Sequence, residues 1–380
     1  MPSGGHTRGL CGVDAGTWRD VKSIYPAGWT CPFAEAEAKQ KRRSAGCNQV
    51  QKRRYALPES CPDLGRRQLR LLEGRAVFFL GDSMAGQHSQ AFFCRLLLHK
   101  YSLIGQGPAP WAQKLHAPMK TPKHCTPAGQ MTSMSKCKAF LFEGIQQARR
   151  NITVCNIMAG LLGSRCTSIS TAARVKALLS GGIAARGDLL IANEGVWLTD
   201  RDKGFTDVRA AETRVEHLAS VWREHGRGSG VHLFWRETGP QHFETPDGRF
   251  NRSHMALMGT AFRCMPHGRT ARPAWEQRAR LEPLEEAGAT VVRVWNLSAS
   301  QWDVHTAGLN ESTDSRDTDC THYCEPSGVL EAWVDATLVT LDKASVEWAI
   351  TRSNGPSSAG PTGPGSFTTP WALSKRQLKG

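Results

Sequence analysis

Two short motifs hold the residue types that acyl-transfer chemistry needs. The first is Gly81-Asp82-Ser83-Met84, which closes the apolar run Ala76 to Leu80, AVFFL, and opens an amphipathic stretch. A hydroxyl on a tight turn between a strand and a helix is exposed at the strand end, where the backbone N–H groups of the helix start also point. Ser83 therefore has two readings, a helix cap and a nucleophile. The second motif, Asp319-Cys320-Thr321-His322, sets a carboxylate three residues before an imidazole. That spacing lets the Asp orient the ring, and an oriented ring can take a serine proton. His322 alone would read as a structural or surface histidine; the pairing with Ser83 turns both motifs toward catalysis, in the chain order Ser, Asp, His.

The elements that must position these residues follow from periodicity. Strand candidates besides AVFFL are Ile152 to Ile157, Asp188 to Ala192, Val231 to Trp235 and Thr290 to Trp295. Between them the spacing predicts helices after Ser83 and over Thr171 to Leu179, Ala211 to His225 and Ala274 to Glu286. Short strands alternating with longer helices imply an α/β fold with a mostly parallel sheet and helices on both faces. The polar residues from Arg236 to His242 then fall on a loop beside the presumed site, where Arg236 has the chemistry to hold a sugar hydroxyl or carboxylate and His242 to contact a polymer. Structural roles stand equally open for both. Trp197, three residues after Glu194, has a ring suited to stacking on a sugar face.

The segment Gly105 to Ser135 reads as a long insertion, and the Pro, Gly and Ser-rich stretch Ser353 to Pro370 as a disordered tail. The run from Lys39 to Arg54 carries seven basic residues and reads as a solvated loop. An excess of 48 Lys and Arg over 34 Asp and Glu favours anionic surfaces in general. Aromatic residues do not interleave with the basic run, so nucleic acid is not an expected partner. Twelve cysteines at wide spacing, with sequons at Asn151, Asn251, Asn296 and Asn310, fit a disulfide-bonded secretory-pathway protein. No stretch is long and apolar enough for a membrane span and none has the form of a signal peptide, so the expectation is a chain with no visible anchor, for which the cytoplasm stays open. No paired CxxC motifs and no other Asp, Glu and His cluster support a metal site.

The flanks of the two motifs carry a resemblance. Leu72 to Arg75 leading into FFLGDSM, Ser89 to Cys94, Asp188 to Trp197 as DLLIANEGVW, Phe234 to Phe243 as FWRETGPQHF and Asp319 to Trp333 as DCTHYCEPSGVLEAW, together with Tyr55 to Cys61, resemble the plant trichome-birefringence-like family of the PC-esterase group. The resemblance spans about residues 55 to 340. It implies an SGNH-hydrolase-like three-layer fold over residues 60–345, preceded by an irregular cysteine-containing segment, 1–59, and followed by a tail, 346–380. It also implies a polysaccharide O-acetyltransferase of the Golgi with Ser83 as nucleophile, His322 as base and then acid, and Asp319 as its orienting carboxylate. Asn193 and the backbone N–H of Ser83 become the oxyanion donors. No bound cofactor is implied, only an acetyl donor as co-substrate and a polysaccharide or oligosaccharide as partner. The family's Arg-Asn-Gln after the GDS motif is here Gly86, Gln87 and His88; His88 is the candidate to replace the arginine near substrate. The missing arginine keeps a carbohydrate or small-ester esterase open, and a non-catalytic glycan-binding protein is the third expectation.

Overall fold

A computed structural model describes residues 16–27, 29, 31–32, 52–57, 65–108, 136–143, 150–158, 170–193, 199–200, 205–206, 208–245, 248–250, 264–266, 281–305 and 319–354. Its strands are β1 (Thr17–Asp20), β2 (Arg53–Ala56), β3 (Ala76–Gly81), β4 (Tyr101–Pro108), β5 (Lys136–Phe142), β6 (Ile152–Met158), β7 (Leu189–Ala192), β8 (Thr199–Asp200), β9 (Phe205–Thr206), β10 (His232–Arg236) and β11 (Thr290–Val292). The helices are α1 (Arg66–Arg70), α2 (Ser83–Leu98), α3 (Thr171–Ser180), α4 (Val208–Val221, continued by a π turn to Gly226), α5 (Glu282–Glu286), α6 (Trp295–Ser298) and α7 (Val329–Asn354).

Seven strands form one sheet in the order β11-β10-β7-β3-β6-β5-β4. From β11 to β6 all pairings are parallel, and β5 and β4 add an antiparallel edge. The α/β architecture with helices on both faces is thus the one the sequence predicts. Its cause is visible in β3. Successive side chains point to opposite faces, so Val77 and Phe79 enter one apolar core with α2 and α7, while Phe78 and Leu80 enter the other with α3, α4 and α5. Both faces being covered, every residue from Val77 to Leu80 is buried, and the strand reads as an unbroken apolar run.

Several boundaries differ from the sequence reading. The N-terminal segment is not wholly irregular: β1 and β2 pair antiparallel, Trp18 meets Tyr55 edge-on at 5.2 Å, and Tyr55 belongs to the main core. A disulfide, Cys31–Cys94, joins this segment to α2. The expected insertion begins as strand, since β4 runs to Pro108 and pairs with β5. The strand expected over Thr290 to Trp295 stops at Val292, because one Glu237 carboxylate oxygen accepts the N–H groups of Val294 and Trp295 at 2.9 and 3.0 Å and turns the chain into α6. The helix expected from Ala274 is seen from Glu282; residues 267–280 lie outside the described ones. At the C-terminus α7 passes the expected domain end at 345 and continues to Asn354.

Two further disulfides, Cys137–Cys155 across β5 and β6 and Cys264–Cys320, fit folding in an oxidising compartment. Among the described residues no helix is long and apolar enough to cross a membrane.

Candidate active site

Ser83 lies where β3 ends and α2 begins, at the carboxyl edge of the parallel strands. Asp82, not Ser83, caps the helix: its Oδ1 accepts the Met84 N–H at 2.9 Å. The Ser83 hydroxyl is thereby left for other work, and as the first helical residue it keeps a backbone N–H with no intrahelical acceptor. Glycine is required just before it, because a Cβ on Gly81 would collide with the backbone carbonyl oxygen of Asn193 at the end of β7.

The second motif arrives from the other end of the chain. His322 Nε2 stands 2.6 Å from Ser83 Oγ, and His322 Nδ1 stands 2.6 Å from Asp319 Oδ2. The other oxygen, Asp319 Oδ1, accepts the backbone N–H groups of Thr321 and His322 at 3.0 Å each. Burial would raise the pKa of this carboxyl, but the hydrogen bonds and charge of His322, with the backbone N–H groups, outweigh burial and hold it well below the usual carboxylate range. An ionised Asp319 fixes the proton of His322 on Nδ1 and turns the Nε2 lone pair toward the serine hydroxyl. The result is a continuous relay, Asp319 to His322 to Ser83, between residues 236 and 239 positions apart in sequence.

No family model and no curated protein matches the chain.

The remaining candidates find other places. The two amide protons of Asn193 go to the Arg236 carbonyl at 2.9 Å and to Thr238 Oγ1 at 3.1 Å. Asn193 thus ties the end of β7 to the end of β10 and has no amide proton left for an oxyanion. His88 faces the core rather than substrate. It is wholly buried, meets Phe79 and Trp333 edge-on at 5.0 and 5.9 Å, and shares a 3.3 Å hydrogen bond with Thr337. Burial pushes its pKa well below the ordinary histidine value, with Arg236 adding to the effect, so the ring is neutral. The helical period explains the miss: His88 is five residues beyond Ser83 and sits on the sheet side of α2.

Arg236 is buried as well, its guanidinium 4.4 Å over the Trp333 ring. It lies close enough to Asp82 to counter the rise that burial imposes on that carboxyl. A fully enclosed side chain does not grasp a polymer, so Arg236 serves the site from beneath. His242 is also enclosed; its Nδ1 lies 2.6 Å from His305 Nε2 and its Nε2 3.1 Å from the Ala299 carbonyl. His305 Nδ1 reaches the His322 carbonyl at 3.0 Å. Each outer nitrogen thus faces a carbonyl oxygen, which can only accept, so both are placed to donate. Polymer contact by His242 is replaced by support of the loop bearing His322. Trp197 lies outside the described residues.

Sequence reasoning missed His305, which no local pattern marks. Among the described residues, no three His, Cys, Asp or Glu side chains converge as metal ligands would.

Proposed function

We propose that this protein is an acyl-serine enzyme, an O-acyltransferase that moves an acetyl group from a donor ester to a polysaccharide hydroxyl. The observation that carries the reading is the unbroken relay of two 2.6 Å contacts from Asp319 through His322 to Ser83. Ser83 Oγ attacks the donor carbonyl while His322 Nε2 takes its proton. The tetrahedral oxyanion meets the Ser83 backbone N–H, and collapse expels the donor alcohol or thiol, which leaves with the proton from His322. An acceptor hydroxyl then attacks the acyl-serine, giving its proton to His322, and the second collapse returns the proton to Ser83. Asp319 stays ionised throughout and stabilises the imidazolium.

The glycan acceptor and a Golgi location rest on the resemblance carried by FWRETGPQHF and DCTHYC, with the disulfides in keeping with a lumenal protein. A specific departure favours a second reading. Gly86 stands where the plant family has arginine; with no cation there to orient an acceptor, water attacking the same acyl-serine makes the protein an esterase.

Intact-mass measurement after exposure to a small activated acetyl ester tests the proposal. The expected result is one added acetyl group on the parent protein and none on Ser83→Ala. Faster decay of that adduct with an added oligosaccharide, accompanied by acetylated sugar, supports transfer; decay indifferent to sugar supports the esterase. A folded parent protein that gains no acetyl and turns over no ester sinks both.

A further inference from the structure

The loop that carries His322 must be held in register with the helix that carries Ser83, and one side chain spans both. Gln87 lies four residues beyond Ser83 on α2, so the two side chains project from one face of the helix a turn apart. Its Nε2 donates to the Tyr323 carbonyl at 2.8 Å, and its Oε1 accepts the Tyr323 N–H at 3.3 Å. Both polar groups of the amide thus grip the peptide groups of the residue that follows His322. We infer that Gln87 is a positioning residue that locks the Ser83-to-His322 distance by clamping Tyr323 from the nucleophile's own helix; this rests on the acyl-serine reading above.

The geometry gives the clamp a purpose. Asp319 fixes His322 from within its own loop, and His305 holds the His322 carbonyl from the far side. The Tyr323 ring is anchored separately, stacked at 4.3 Å on His305 with its hydroxyl donating to the Pro240 carbonyl at 3.1 Å. None of these contacts comes from α2. Besides the Ser83–His322 bond itself, the Gln87 amide joins that helix to the catalytic loop. A shift of α2 then carries the nucleophile and the base together, and the bond that proton transfer needs survives the motion. An amide suits the task because it offers a donor and an acceptor at the spacing of one residue's C=O and N–H.

The test uses two variants of the full chain. Gln87→Met keeps length and shape and removes both hydrogen bonds. Gln87→Glu keeps the acceptor for the Tyr323 N–H but turns a carboxylate toward the Tyr323 carbonyl unless it is protonated. With the small activated acetyl ester, Gln87→Met is expected to lower kcat by about ten- to a hundredfold with KM unchanged, as misplacement of reacting groups does. The rate of Gln87→Glu divided by that of the parent is expected to climb as pH falls, because the protonated acid regains the donor. A Gln87→Met variant with the parent kcat, or a Gln87→Glu ratio flat with pH, overturns the clamp.

Proton NMR of the His322 Nδ1–H separates this from the acyl-serine reading, since it needs no substrate. The parent is expected to show a downfield resonance that disappears in Asp319→Asn and broadens in Gln87→Met at unchanged circular dichroism. A parent that never acylates while this contrast holds defeats the reading and leaves the clamp. An unaltered His322 resonance in Gln87→Met defeats the clamp whatever the activity.

Discussion

The two faces of the sheet are built from the same strands and do different things. On one, α3, α4 and α5 cover Phe78, Leu80, Leu190 and Leu233 with aliphatic side chains and Trp222; its fully buried cation is Arg174. On the other, α2 and α7 cover Val77, Phe79, Ile191 and Phe234, but the core there also encloses His88, Thr337, Ser298 and the Trp333 indole, which donates to Ser298 at 2.7 Å. Arg236 lies against the same indole. Burying polar groups costs stability unless they are hydrogen-bonded, and here that cost is concentrated beneath the loop carrying Asp319 and His322. The lesson is that the first face is mainly packed apolar surface around a few buried polar groups, whereas the second must also hold three side chains in one geometry.

The sharpest break of this contrast is electrostatic. Asp319→Asn should lower the acylation rate by about 10⁴-fold, because the amide cannot hold His322 in the required tautomer. Steady-state ester turnover checks this. The same change has a signed pH signature in denaturant midpoints. A carboxyl whose folded pKa is depressed contributes stability that is complete above its unfolded pKa of about 3.9 and lost as pH falls through the folded value. The stability gap between parent and Asp319→Asn should therefore be full at pH 7 and shrink with acid below about pH 4.

Packing changes come next. Trp333→Ala and Leu218→Ala should cost about 3–5 and 2–5 kcal/mol respectively, as buried truncations do. Only the first should slow acylation per folded molecule, because Trp333 supports Tyr323 and Arg236. Equal kinetic losses would erase the distinction between the faces.

The disulfides sharpen it at lower cost. Cys264–Cys320 fastens the residue next to Asp319, and Cys137–Cys155 fastens the antiparallel edge. Replacing the first pair by alanines should reduce kcat about ten- to a hundredfold through loosened geometry. Removing the second should lower stability by about 2–4 kcal/mol and leave the acylation rate of the folded protein unchanged.

The smallest effect belongs to His88. Its folded pKa lies below the unfolded value, so it contributes full stability above about pH 6.5 and loses it as pH falls, with a slope of up to about 1.4 kcal/mol per pH unit. His88→Met should flatten that slope in urea titrations at pH 7 and pH 5 and leave ester turnover intact. A loss of turnover would return His88 to the substrate.

Much of this was legible in the chain because it is written locally. AVFFL, DLLIA and the helix over Thr171 to Leu179 announce themselves by period and by breakers. The Ser83 and His322 motifs could be paired since acyl transfer needs both, although only the fold brings them together. What stayed hidden was decided by direction and distance. Residues Arg236, His242 and His88 looked like surface chemistry on polar-rich or helical segments, and nothing local tells a histidine facing solvent from one facing Trp333. Strand β4 escaped notice because Gly105, Gly107 and Pro108 carry the signature of a loop, yet pairing with β5 holds them extended. The helix α7 was lost for a related reason: it is apolar nearly all round in its first half, with Val329, Leu330, Ala332, Trp333 and Val334 buried, so no polar stripe marks it.

The most direct test of the account is labelling with a serine-directed phosphonate, followed by peptide mapping of the parent and of His322→Ala. The account predicts a single label on Ser83 in the parent and its loss in the folded variant. A label on another serine, or equal labelling of Ser83 without His322, would contradict it.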